Sequence, residues 1–401
     1  MKKKILFVIN TLGRAGAEMA MLELIRRLPE EEYDISLYVV LGQGELVREL
    51  PEYVKVLNRT YQDTSVLSEN GRRHIVKTVI RSFFHNGKWF QKLFHLAVVA
   101  HEMRKQGKLQ MDKLLWRMLS DGGEYPKEAY DLAIAYLEGG ATYFTADHVI
   151  AKRKAAFVHI DYVNAGYSRK MDKDCYAGYD RIFAVSEEAR TSFVNVYPEW
   201  EDKTGVFHNI INRERILELA GQQGGFSDSF DGIRLLTVGR LTHQKAYDIA
   251  IEAMKKIKDT GYKVRWYVLG EGNRREFLER QIKNLGLERD FKLLGAVDNP
   301  YPYYKQCDIY VHATRFEGKS IAVQEAQVMG CTIVASDCNG NREQIQNNVD
   351  GLLCGLSAEG ISESIISLIE NEEKRKQLGD AAAGKRLDNL QEMKMLLDLL
   401  E

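Results

Sequence analysis

Apolar residues follow two rhythms along this chain: short unbroken runs, and longer stretches in which they recur every three or four positions. Ile5–Ile9 is an unbroken run that stops at Asn10, Thr11 and Gly13. Behind it, Ala17, Ala20, Met21, Leu24, Ile25 and Leu28 recur at helical spacing. The pattern predicts a buried strand, a glycine turn and an amphipathic helix. Ile35–Val40, Leu132–Tyr136, Ala155–Val158 and Arg181–Val185 are later strand candidates. A second series starts near residue 206, with strands expected at Leu235–Val238, Val264–Leu269, Phe291–Leu294, Ile309–His312 and Thr332–Ala335. Helical patterns such as Asp248–Lys258 and Arg274–Leu285 lie between them. Buried strands alternating with helices predict parallel, doubly wound sheets. The reading is α/β, with one domain over residues 1–207 and a second over 208–385. A C-terminal helix over 386–401 would pack back on the first domain. Val206–Arg213 reads as the hinge and Gly221–Gly232 as an exposed loop.

Residues 60–125 break the rhythm. They are helical in pattern, basic and aromatic, and read as an insertion in the first domain. Between Arg72 and Arg117, cations such as Lys77, Arg81, Lys88, Lys92, Lys108 and Lys113 alternate with Phe83, Phe84, Trp89, Phe90, Phe94 and Trp116. Only Glu102 and Asp112 oppose them. Two readings stand: the aromatics pack the insertion onto its domain, or the segment binds an anionic membrane surface.

Composition narrows the classes. A chain of 401 residues with 45% apolar and 28% charged residues has enough apolar content for two cores. A formal charge of −1 supplies no overall field toward nucleic acid, and no recognition motif is present. The five cysteines form no CxxC pair, which fits a reducing, cytoplasmic setting. The Lys2–Lys4 start with its short apolar run reads as a strand and not a leader.

The candidate chemistry lies at strand ends, where open α/β sheets bind ligands. Gly239-Arg240 closes one strand and Lys245 follows on the same loop. Two such cations suit a diphosphate, though they also read as solvated surface residues. After Ile309–His312 comes Glu317-Gly318-Lys319-Ser320-Ile321, with Glu325 further on. Ser320 is a candidate N-cap, and the helix behind it would point its amides at an anion. The two glutamates suit sugar or ribose hydroxyls, or are ordinary surface acids. Gly270-Glu271-Gly272 is a third strand-end turn. Neither it nor Gly13–Gly16 completes GxGxxG, which disfavours nicotinamide and flavin chemistry.

In this order the motifs resemble glycosyltransferase family 4, the retaining B-type enzymes. Glu317 and Glu325 have the family's Glu-x7-Glu spacing, and Gly239-Arg240 with Lys245 matches its Gly-Arg-x4-Lys element. Gly16-Ala17-Glu18, His159 in Phe157–Asp161, Val185-Ser186 and His208-Asn209-Ile210 are similar to further family segments. The resemblance implies two Rossmann-like domains facing across a cleft, and a hexosyl transferase using a nucleotide diphosphate sugar, UDP-sugar favoured. It implies a glycan or saccharide acceptor and no metal or cofactor; the membrane reading of the insertion adds a lipid-linked acceptor, as in bacterial surface polysaccharide assembly, and work in the cytoplasm at the inner membrane face. Arg240 and Lys245 would hold the diphosphate, with Ser320 and Ile321 amides adding to that site. Glu317 with Gly318 and Lys319 would face the donor sugar, and Glu325 would bind the ribose. Gly16, Gly239 and Gly272 would line the donor site, and His159 would touch the transferred sugar or else pack in the core. Ala246 replaces the glycine that commonly follows the lysine, and Gly318-Lys319-Ser320 departs from the usual residues after the first glutamate. Other readings are a two-domain epimerase or phosphorylase, or a non-catalytic partner subunit.

Overall fold

The computed structural model describes residues 2–66, 68–87, 89–105, 111–163, 165–385, 387 and 390–401. Two compact units comprise Met1–Ile210 with Asn389–Glu401, and Ile211–Asp388. The first therefore runs slightly beyond the boundary expected at 207.

In the first unit the chain runs β1 (Lys3–Ile9), α1 (Gly16–Arg26), β2 (Tyr33–Val39), β3 (Lys55–Val56), α2 (Glu69–Phe84), α3 (Trp89–Lys105), α4 (Met111–Asp121), β4 (Ala129–Ala135), α5 (Gly140–His148), β5 (Ile150–Val158), α6 (Arg169–Asp172), β6 (Arg181–Ala184), α7 (Glu187–Val196) and β7 (Thr204–Val206). The strands form one parallel sheet in the order β3-β2-β1-β4-β5-β6-β7. Ile5 to Ile9 are fully buried because helices cover both faces of a central parallel strand.

The second unit runs α8 (Arg213–Ala220), β8 (Ile233–Val238), α9 (Tyr247–Asp259), β9 (Val264–Leu269), α10 (Arg275–Asn284), β10 (Phe291–Gly295), α11 (Tyr301–Gln306), β11 (Ile309–His312), α12 (Ile321–Val328), β12 (Thr332–Ser336), α13 (Asn339–Gln344), β13 (Leu352–Cys354), α14 (Ala358–Glu370) and α15 (Glu372–Ala383). Its parallel sheet has the order β10-β9-β8-β11-β12-β13. The final helix, α16 (Leu390–Leu397), belongs to the first unit, where Lys3 Nζ donates to the Leu400 carbonyl at 2.6 Å.

Strand order reverses between β1 and β4 in one sheet, and between β8 and β11 in the other. Such reversal points, at the carboxyl ends of the strands, are where open α/β sheets bind ligands. Three strands had no periodic signal: β3, β7 and β13 are two or three residues long and sit at sheet edges. The expected exposed loop at 221–232 is also tethered. Asp228 pairs with Arg234 and Arg265 and accepts the Tyr267 hydroxyl at 2.6 Å. All five cysteines are free. No helix among the described residues is long and apolar enough to cross a membrane.

The insertion is helical and held from inside. Arg117 is buried, pairs with Asp147 at 2.7 Å and donates to the Asp172 carbonyl at 2.9 Å. Lys92 is buried, with Nζ donating to the Ser82 carbonyl at 2.6 Å near the end of α2. Lys92 and Arg117 therefore cannot contribute to an exposed cationic stripe, as the membrane reading required: their charges satisfy internal carbonyls and a carboxylate. Lys88 and Lys108 lie outside the described residues.

Candidate active site

The site in the second unit begins where β8 and β11 end. Gly239 closes β8, and its loop is stitched to the loop after β11. Arg315 N donates to the Gln244 carbonyl at 2.8 Å, Gln244 Nε2 donates to the Phe316 carbonyl at 2.9 Å, and Arg315 forks onto Asp248. This stitching brings Lys245 to Glu317. The two form an ion pair, each side chain only 14% exposed. His312, the last residue of β11 and 1% exposed, places Nε2 3.2 Å from the same Glu317 oxygen. Its Nδ1 lies 3.2 Å from the Tyr310 hydroxyl. A carboxylate only accepts, so Nε2 carries the proton and donates to Glu317, and Nδ1 accepts from Tyr310. Burial, and then the Lys245 charge, push the His312 pKa down and keep the ring neutral.

Desolvation pulls Glu317 upward, but Lys245 and His312 outweigh it and hold the carboxyl at about 2. Arg240 differs from Lys245: it is exposed and makes no ion pair among the described residues. The sequence motif thus contains one cation fixed by a carboxylate and one free to meet an anion.

Glu325, on α12, accepts the Tyr301 hydroxyl at 3.0 Å and the Tyr304 hydroxyl at 3.1 Å. Desolvation there pushes its carboxyl up to about 7, although both phenols pull it down. A raised folded pKa means that Glu325 disfavours folding increasingly as pH climbs from the ordinary carboxylate range through 7. Glu325→Gln lacks that titration. Relative to wild type, it should therefore gain about 2 kcal/mol in unfolding free energy between pH 5 and pH 8. Denaturant melts at the two pH values measure this; an unchanged difference would show that Glu325 is ionised at ordinary cost.

Several expected site residues also make internal contacts. Ser320 occupies the N-cap of α12 but makes no side-chain cap bond, and its amide donates to Gln344 Oε1 at 2.8 Å. That amide is already engaged and does not add to an anion site as expected; Ile321 begins the helix. A Cβ on Gly272 would lie 2.4 Å from the Leu241 carbonyl oxygen, so this glycine lets two loops pack. Gly239 carries the carbonyl that accepts the Tyr247 hydroxyl at 2.8 Å. Gly318 and Glu317 are approached by Gly340 of α13, where a Cβ would come within 1.9 Å of the Gly318 oxygen. Lys319 is half-buried on the same loop. Ala246 has φ +44°, left-handed backbone that costs a non-glycine residue roughly 1 kcal/mol. A glycine would hold this backbone without that cost.

In the first unit, β4 and β5 end beside each other. His159 follows β5, and its amide donates to Glu138 Oε2 at 2.9 Å. Its Nε2 is buried without a hydrogen-bond partner, and burial lowers the ring pKa to about 4. Glu138 is buried, with its carboxyl pushed up by desolvation. Asn10, after β1, donates to the Glu138 carbonyl and accepts the Ala141 amide at 2.6 Å, which fixes the start of α5. Gly16 begins α1.

Sequence reasoning missed His312, Tyr301, Tyr304 and Glu138. Two signals were available: a histidine closing an apolar strand five residues before Glu317, and Glu138-Gly139-Gly140 after a strand. The tyrosines carried no signal, because only the folding of α11 against α12 brings them to Glu325.

Residues 230–385 match the family described as "Glycosyl transferases group 1". The Campylobacter jejuni N-acetylgalactosamine-N,N'-diacetylbacillosaminyl-diphospho-undecaprenol 4-alpha-N-acetylgalactosaminyltransferase is 29% identical over 203 residues, 50% of this chain and 54% of that protein. The Erwinia amylovora amylovoran biosynthesis glycosyltransferase AmsD is 24% identical over 222 residues, 53% and 59% of the two chains. The chain thus spans somewhat over half the length of these relatives. Anabaena Alr3699/HepE, solved with UDP-glucose, is similar at a TM-score of 0.69 and 17% identity over 99% of both chains. The fold class is that of the B-type glycosyltransferases, with two parallel-sheet, Rossmann-like domains. The second domain, which holds Arg240, Lys245, Glu317 and Glu325, carries the group 1 match.

Proposed function

We propose that the chain is a retaining glycosyltransferase. It moves a hexosyl group from a nucleotide diphosphate sugar, UDP-sugar favoured, to a glycan or lipid-linked saccharide in bacterial surface polysaccharide or glycoconjugate synthesis. The observation that carries this reading is the Lys245–Glu317–His312 array beside exposed Arg240, at the switch point of the group 1 domain. The relatives support it. The C. jejuni protein is named for a diphospho-undecaprenol-linked acceptor, AmsD for amylovoran biosynthesis, and HepE was solved with UDP-glucose. A lipid-linked acceptor implies work in the cytoplasm at the inner membrane face.

The chemistry follows from charge. Breaking a glycosyl–phosphate bond builds negative charge on the departing diphosphate, and fixed cations stabilise it most in the transition state. Arg240 forks onto the phosphates. Lys245 keeps donors in reserve while Glu317 holds it in place. Glu317, with the Gly318 and Lys319 backbone, faces the donor sugar; Glu325, oriented by its tyrosines, takes the ribose. Retention, as in family 4, is same-face attack with the departing phosphate taking the acceptor's proton.

The protein's own cations supply the charge, so no metal is required. Among the described residues, the group of potential metal ligands is Asp121, Asp147 and His148 in the first domain. His148 engages Asp121, and Asp147 engages Arg117. Turnover of a UDP-sugar should persist in excess chelator. Full loss in chelator, regained with Mg²⁺ or Mn²⁺, would contradict the metal-free reading.

A further inference from the structure

The insertion helices α2 and α3 each carry two apolar aspects, only one of which is used. On α3, Leu96, Val99, Ala100 and Met103 pack into the first domain's core. The opposite aspect presents Phe90, Leu93, Phe94 and Val98 at helical spacing, 68%, 51%, 73% and 37% exposed. On α2, Ile75 and Val79 face the core, whereas Val76, Ile80 and Phe84 form an outward i,i+4 rail, each more than half exposed. Beside that rail runs a second one of Arg73, Lys77 and Arg81, all exposed. A water-facing helix surface does not ordinarily expose this many large aromatic and aliphatic side chains at helical spacing.

Charge says what covers it. From Asn70 to His101 the sequence contains no Asp or Glu. Glu69, at the start of α2, pairs with Arg73, leaving Arg72, Lys77 and Arg81 exposed along the helix. Two copies meeting through this surface would oppose like charges. An anionic lipid surface would instead meet the cations with headgroups and the phenylalanines with acyl chains, as interfacial helices do.

We infer that the outward faces of α2 and α3 dock the protein on an anionic membrane, with Phe84, Phe90 and Phe94 entering the interface and Arg72, Lys77 and Arg81 meeting lipid phosphates. The inference deepens the proposal of a lipid-linked acceptor, and it concerns residues apart from the donor site.

Cosedimentation of the full chain with vesicles tests it. Wild type should bind phosphatidylglycerol-containing vesicles at low salt, bind phosphatidylcholine vesicles much less, and lose binding as salt rises. Lys77→Glu with Arg81→Glu should weaken binding by about 30-fold or more, the effect of two surface cations. Phe90→Ser with Phe94→Ser should abolish binding while keeping the melting temperature, because both side chains are outside the core. Wild type that ignores anionic vesicles overturns the inference, as does equal binding to both lipids. Self-association that Phe90→Ser with Phe94→Ser abolishes, without vesicle binding, would assign the face to a second copy instead. UDP binding, measured alongside, should be unchanged in every variant. Vesicle binding without UDP binding would sink the enzyme reading and leave the docking surface standing.

Discussion

Arg240→Ala should keep the wild-type melting temperature and lose turnover by about 10²-fold or more, whereas Lys245→Ala should lose both. The difference comes from what each cation touches. The Arg240 side chain is exposed and makes no hydrogen bond or ion pair among the described residues, so its removal costs the fold little. Lys245 neutralises Glu317 in a pair shielded from water. Taking one partner away leaves a poorly solvated carboxylate, which for partly shielded pairs costs about 2–3 kcal/mol. Thermal melts beside steady-state rates separate the two effects. If Arg240→Ala turned over normally, the phosphate assignment would fail. If Lys245→Ala were as stable as wild type, the ion pair would be energetically idle.

Glu317→Gln should cut turnover by about 10²-fold while binding UDP at least as tightly as wild type. The amide keeps the shape but cancels the charge that competes with phosphate for Lys245, so the free nucleotide loses nothing. What is lost is the carboxylate proposed to face the donor sugar. His312 should act through Glu317. His312→Ala removes one hydrogen bond to a charged group, worth about 1.5–3 kcal/mol, and should lower turnover by roughly 10- to 100-fold. His312→Gln, which offers an N–H near the Nε2 position, should recover much of the loss. Calorimetry with UDP and initial-rate kinetics read both predictions. Weaker UDP binding in Glu317→Gln, with turnover intact, would reverse the assigned role.

Much of the second domain was legible because its motifs are local. Gly239-Arg240 with Lys245, and Glu317 with Glu325, are short spacings next to apolar strands, and the strands were readable as unbroken runs. The pairing of Lys245 with Glu317 was not, since 72 residues separate them and only the neighbouring positions of β8 and β11 join their loops. For the same reason Lys245 read as a second free phosphate ligand when it is the held one. The sequence shows that Gly272 lacks a side chain but not the backbone, here Leu241, that packs against it. In the insertion, composition showed the basic and aromatic character but not its direction. Lys92 and Arg117 turn inward, while Phe90 and Phe94 turn out.

The most direct measurement is incubation of wild-type protein with a panel of labelled UDP-sugars and saccharide acceptors in excess chelator, with the product's anomeric configuration read by NMR. The account predicts sugar transfer from at least one α-linked donor to give an α-linked product, abolished in Arg240→Ala. A β-linked product would contradict retention, and a folded protein that transfers no sugar and binds no nucleotide diphosphate would contradict the proposed function itself.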